Sequence, residues 1–164
     1  MPVDPADFKR ALGQFATGVT VVTTRDGSGN PLGLTVNAFS SVSLDPPLVL
    51  VCVDNRSETN AGFLASRVFG ASVLAEGQEE WSRRFAVPGP GKFNGAPLTT
   101  STHGVVLVPG ALAQLLCGVA ASHPAGDHTI YVGEVLSLTA VPGRPLLYHA
   151  SGYRRLDREA EPLD

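Results

Sequence analysis

Phe8, Leu12 and Phe15 recur at helical spacing behind Asp4-Pro5, an N-cap and first-turn proline followed by Asp7. That stripe predicts an amphipathic helix in a segment ended by Gly18. Val19 to Thr24 is β-branched throughout and predicts a strand. The turn residues Asp26-Gly27-Ser28-Gly29-Asn30-Pro31 predict a hairpin into a second strand that runs through Thr35 and Asn37. Pro46-Pro47 bars a helix, and Leu48 to Val53 is one continuous apolar run, the pattern of a strand buried on both faces. Ser57 is placed to N-cap a short helix through Ala65, followed by a strand from Arg67 to Ala75 and a helix from Gln78 to Ala86. Residues 87–104 are rich in glycine and proline and predict a long loop, the kind that often carries function. Two strands, Ala111–Ser122 and Thr129–Val141, flank a connection from His123 to His128, and Leu146–His149 makes a last short strand. Six or seven strands with hairpin turns and two or three short helices predict a mainly β chain, an antiparallel barrel closed or nearly so. The strands do not alternate with long helices, which argues against a doubly wound parallel sheet.

Composition adds partners to this picture. The 164 residues suit one domain, read as residues 1–156 with a tail at 157–164. Hydrophobic residues make up 43% and charged residues only 16%, little charge for a freely solvated monomer, so a homodimer is expected. A net charge of −3 without a basic face argues against nucleic acid. The N-terminus lacks a signal-peptide pattern and no apolar run reaches the roughly 18 residues of a membrane span, so the expected location is the cytoplasm. Cys52 and Cys117 lie within apolar strands and read as buried free thiols.

Catalytic motifs are scarce. Gly27-Ser28-Gly29 continues as Asn30-Pro31-Leu32, which is not a dinucleotide fingerprint, and Phe93 after Gly91-Lys92 breaks a P-loop ending. There is no Gly-x-Ser-x-Gly elbow. His103, His123, His128 and His149 show no metal-ligand spacing, so no metal site is expected. An enzyme with this inventory depends on a cofactor for its chemistry. The candidate cradle is a cluster of hydroxyl and amide side chains. Thr35 and Asn37 share a strand face by alternation, as do Ser41 and Ser43, and Asp54 to Thr59 opens a helix whose free N–H groups suit a phosphate. Simple N-capping by Ser57 and turn formation by the serines account for the same residues without any ligand.

The segments FKRALGQFATGVTVVTT, GLTVNAFSSVSLDPPLVLVCVDNRS, SRRFA, KFNG, GDHTIYVGEV and PLLYHASGYRRL stand in this order across residues 6 to 156. Together they resemble the short-chain flavin reductase family, the reductase components of two-component flavin-dependent monooxygenases. The resemblance implies an FMN-binding split barrel working as a homodimer, with FMN or FAD as flavin and NADH or NADPH as hydride donor. It implies that Thr35, Val36, Asn37 and Ala38 line the flavin ring and that Ser40 and Ser41 approach the ribityl chain or phosphate. Asp54 and Asn55 are implied beside the ring edge, with Ser57, Arg56 and Thr59 at the phosphate. Phe85 and Phe93 match aromatic positions near the cofactor, although Phe85 reads equally well as core. His128 of Gly126-Asp127-His128 is implied beside the nicotinamide as the catalytic histidine, and Tyr153 covers that pocket.

The implied activity is hydride transfer from NAD(P)H to flavin, with reduced flavin handed to a partner monooxygenase. A flavin-binding carrier or sensor without reductase activity is the alternative. Its support is Ala113-Gln114-Leu115-Leu116-Cys117-Gly118, which lacks the bulky aromatic and basic residues many relatives carry there. A split-barrel oxidase acting on a pyridoxamine phosphate matches these motifs less well.

Overall fold

The computed structural model describes residues 2–156; the tail expected at 157–164 lies outside the described residues. Helix α1 spans Pro5–Leu12, capped by Asp4, whose Oδ1 accepts from the Ala6 and Asp7 amides. The helix is shorter than its apolar stripe: Phe15 falls beyond it, and no residue of α1 is buried. Strands β1 (Thr17–Gly18), β2 (Thr20–Arg25), β3 (Pro31–Val36), β4 (Phe39–Leu44) and β5 (Pro47–Asp54) follow, then α2 (Glu58–Ser66) and β6 (Val68–Val73). Next come α3 (Glu79–Ala86), a 3-10 turn at Pro90–Phe93, β7 (Thr99–Thr100) and β8 (Val106–Leu107). The chain closes with β9 (Ala113–Ala125), β10 (His128–Ala140), β11 (Leu147–His149) and β12 (Gly152–Arg154). Among the described residues no helix is long and apolar enough to cross a membrane.

Seven strands form one antiparallel sheet in the order β3-β2-β6-β9-β10-β5-β4. Its edge strands β3 and β4 are joined through Asn37 and Ala38 but are not hydrogen-bonded to each other, so the barrel is open along one seam. The smaller sheet β1-β11-β12 carries the C-terminal end of the chain.

Burial on both faces belongs to β2, not to β5. Five of the six β2 residues are buried, because Val22 faces the barrel core while Val21 joins a second core under α3. Two of its threonines offset burial by bonding outward: Thr23 Oγ1 donates to the Val106 carbonyl and Thr24 Oγ1 to that of Val68 at 2.7 Å. In β5, by contrast, Val49, Val51 and Val53 are buried while Leu48, Leu50, Cys52 and Asp54 are only partly covered. A continuous apolar run here marks one core face and one face that remains open. Cys117 is buried, but Cys52 is only partly buried, which corrects the expectation of two buried thiols.

Three boundaries also differ from the sequence reading. Arg67 is a left-handed helix cap (φ 58°), its N–H returning to the Phe63 carbonyl, so the strand starts at Val68. The loop expected from His123 to His128 shrinks to two residues: β9 runs to Ala125, β10 starts at His128, and Gly126 (φ 66°) makes the turn. Residues 87–104 contain the 3-10 turn and β7, with β7 paired to β8.

Candidate active site

The end of β3 opens onto two clefts that share Asn37. The first, about 260 Å³, is lined by Val19, Thr35, Val36, Asn37, Ser82, Ala86, Tyr148 and Tyr153. The second, about 470 Å³, has Asn37, Ala38, Phe39 and Ser40 on one side, Leu50 and Cys52 from β5, and the segment Phe15–Gly18 opposite. The second falls within the scale of sites that enclose a small organic ligand, about 300–1,000 Å³, and the first just below it. Their walls combine apolar surface with hydrogen-bonding side chains, among them Thr35, Asn37, Ser82 and Tyr153 in the first cleft.

A hydrogen-bonded chain shapes the first cleft. Thr35 Oγ1 donates to the Ser82 carbonyl at 2.6 Å, and Ser82 Oγ lies 2.7 Å from the Tyr153 hydroxyl. Tyr153 is held further by an edge contact with Tyr148, centroids 6.0 Å apart, and by the Arg83 guanidinium 5.0 Å above its ring. These contacts bring together β3, α3 and β12, three elements far apart in sequence.

Asp54 sits at the end of the open face of β5, in alternation with Leu50 and Cys52, and His128 is its partner across the ladder. The Arg56 side chain clamps Asp54 with Nε at 3.2 Å from Oδ1 and Nη2 at 2.8 Å from Oδ2; its backbone N–H adds a third bond. Those bonds pull the Asp54 pKa from the usual 3.8 down to about 2. His128 Nδ1 lies 2.7 Å from Asp127 Oδ1, which lowers the Asp127 pKa. Asn55 ties the same corner together: its N–H donates to the Asp127 carbonyl, and its Oδ1 accepts from Thr129 Oγ1 at 2.7 Å.

The residues singled out from sequence thus fall into groups. Thr35, Val36, Asn37, Ala38, Ser40 and Tyr153 line the clefts. Asp54, Asn55, Arg56 and His128 form one polar corner, with Ser57 capping α2 through a bond from the Thr59 amide at 3.3 Å. Four others stand apart. A bulge between Ser41 and Ser43 puts those two residues on opposite faces of β4, contrary to the alternation reading, and Ser41 lines neither cleft. Thr59 is fully buried, and its sealed hydroxyl has no partner among the described residues. Phe85 is 1% exposed and belongs to the core beneath β3. Phe93 packs edge-on against it at 5.3 Å. Sequence reasoning overlooked Ser82, Tyr148, Leu50 and Cys52. Ser82 and Ala86 had a signal, two small residues one helical turn apart beside the cleft.

Residues 12–157 match the flavin reductase like domain. The chain belongs to this family. Among its relatives, an NADH-dependent flavin reductase from a Rhodococcus species is 43% identical over 94% of this chain and 88% of the relative. The reductase subunit of a flavin-dependent monooxygenase from Rhodococcus jostii is 39% identical, over 94% of this chain and 80% of that subunit. The solved structure of an NADH:FAD oxidoreductase from Streptomyces globisporus superposes with a TM-score of 0.89 at 40% identity, covering 98% of this chain and 99% of that one. A second structure of that oxidoreductase, with NAD and FAD fragments, gives a TM-score of 0.90. The family's split-barrel architecture is the open seven-stranded barrel described above. Within it the shared Asn37 marks the centre of the candidate site.

Proposed function

We propose that this family member is an NADH-dependent flavin reductase that supplies reduced FMN or FAD to a monooxygenase partner. The observation that carries the reading is the pair of clefts meeting at Asn37, in a chain whose relatives are named for NADH and flavin. Bound flavin supplies the hydride-accepting chemistry, so the protein's own work is to bind, align and exclude water.

In this reading the β3–β4 junction from Thr35 to Ser40 offers backbone and side-chain groups to the flavin ring, while Leu50 and Cys52 give an apolar floor. Asn55 and Ser57 face the polar chain of the ligand at the start of α2. His128 has its Nδ1 engaged by Asp127, which leaves Nε2 to accept from the nicotinamide amide. Tyr153, fixed by Ser82, covers the first cleft and keeps water out.

A homodimer belongs to the same reading. Val3, Phe8, Leu12 and Phe15 present exposed apolar surface along the N-terminal segment, and Leu136, Leu138 and Val141 do so at the end of β10. A second copy covering these residues accounts for the low charge content. The cytoplasm, which keeps thiols reduced, suits a chain with two free cysteines.

The decisive experiment follows NADH absorbance in the presence of purified protein and added FMN, FAD or riboflavin. Turnover that requires added flavin is the expected result. Flavin binding without NADH oxidation would instead make the protein a flavin carrier.

A further inference from the structure

The long loop after α3 sends one charged side chain into the protein. Lys92, in the 3-10 turn, keeps only 4% of its side chain exposed. Its Nζ donates to the Gly33 carbonyl at 2.8 Å and lies 3.6 Å from Glu58 Oε1. Desolvation pushes the Lys92 pKa down, and the Glu58 carboxylate opposes that shift. Burying an ammonium is costly unless it is paired and hydrogen-bonded, and a neutral residue of similar length would fill this space without that cost.

The places it reaches adjoin two candidate-site segments in sequence. Gly33 lies two residues before Thr35 on β3, and Glu58 directly follows Ser57 at the start of α2. The anchorage of the loop is equally specific. The Gly89 N–H donates to Glu58 Oε1 at 3.0 Å, and Arg84 Nε donates to the Lys92 carbonyl at 2.6 Å. Phe85 fills the space above Gly33, where a Cβ would lie 3.0 Å from its ring, so β3 is pressed from one side and held by Lys92.

We infer that Lys92 is a positioning residue for flavin: its ammonium joins Gly33, just before the Thr35–Ala38 segment, to Glu58, just after the Asp54–Ser57 segment, and so sets the distance between those segments. This rests on the flavin-site reading above. Lys92 acts through backbone and Glu58, without touching the ligand. Loss of the link lets the two segments separate, which weakens flavin more than it slows turnover.

The test compares Lys92→Met, Lys92→Arg, Glu58→Gln and the double variant Lys92→Met/Glu58→Gln, using FMN and FAD as probes. Flavin dissociation constants come from fluorescence titration, steady-state constants from NADH oxidation, and folding from urea denaturation. For Lys92→Met the expected change is a flavin Kd and flavin KM raised about tenfold, with a smaller change in kcat. Lys92→Arg recovers most of that loss, and the double variant is no worse than Lys92→Met alone. A lower denaturation midpoint with unchanged flavin Kd would reduce Lys92 to a structural role and overturn the inference. If Lys92→Met does not fold, Glu58→Gln decides alone, since unchanged flavin Kd in that variant also overturns it. Asn37→Ala and Asn55→Ala separate the two readings. If they weaken flavin while the Lys92 and Glu58 variants do not, only the positioning role fails. If none of these variants affects flavin, the site assignment itself fails with it.

Discussion

His128 stands directly opposite Asp54 in the antiparallel pairing of β10 with β5. Each is engaged by a neighbour along its own chain, His128 by Asp127 and Asp54 by Arg56. The imidazole is therefore oriented by a carboxylate, while the facing carboxylate is already neutralised by a guanidinium. Truncating His128 removes one hydrogen-bonding group and leaves the clefts around Asn37 intact. His128→Ala should raise the KM for NADH about tenfold, the order of one hydrogen bond left unmade. Flavin titration should be little changed. Unaltered NADH kinetics in this variant would remove His128 from the nicotinamide site.

The Asp54–Arg56 clamp predicts an acid limb in stability. The folded pKa of Asp54, about 2, lies below its ordinary 3.8, so its contribution is complete above about pH 4 and fades as pH falls toward 2. Asp54→Asn should lower the melting temperature near neutral pH, and the gap to the parent should narrow through that acid window. A gap that stays constant down to pH 2 would show that the clamp adds no stability.

The two thiols should behave differently. Burial drives the Cys117 pKa up to about 12 and seals it from reagents. Cys52, whose pKa burial also raises, is only partly buried and borders the second cleft. A disulfide reagent at mildly alkaline pH should modify one thiol per folded chain, and added flavin should slow that reaction. Two fast thiols, or no effect of flavin, would contradict the placement of Cys52.

Gly133 shows how tightly the barrel is packed. A Cβ there would overlap the Phe69 ring and lie 3.0 Å from Cys117 Cβ. Gly133→Ala should destabilise the fold by about 1–3 kcal/mol, the usual cost of overpacking. Adding Phe69→Leu should cost less in that background than in the parent, because the two changes share one space. Additive denaturation free energies would argue against the contact.

The polar cluster was readable because local rules govern its parts. Asp4 and Ser57 cap their helices as their positions imply, since capping involves only the next turn of chain. Thr35 and Asn37 both line the first cleft, but not as neighbours on one strand: β3 ends at Val36, and Asn37 lies in the bend that leads to β4. Ser41 and Ser43 do share a strand at that spacing, yet the bulge between them reverses the outcome. Nothing in the residues themselves announces that bulge, which arises where β4 meets β5. Phe85 was ambiguous for a similar reason: an aromatic residue on an amphipathic helix suits a core or a ligand, and only Gly33 beneath it decides.

By itself, then, the amino-acid order determined the strand-rich character, the caps, the hairpin at Asp26–Pro31 and the family motifs in sequence. These depend on neighbours within a few residues, where backbone sterics and side-chain periodicity act directly. Tertiary structure alone decided which apolar strand is covered twice, where the clefts open, and which residues share them. Ser82 meets Thr35 and Tyr153 across 47 and 71 residues, and Lys92 reaches Gly33 across 59. Such meetings follow from the strand order β3-β2-β6-β9-β10-β5-β4, and that order is fixed by nonlocal pairing and burial rather than by any local pattern.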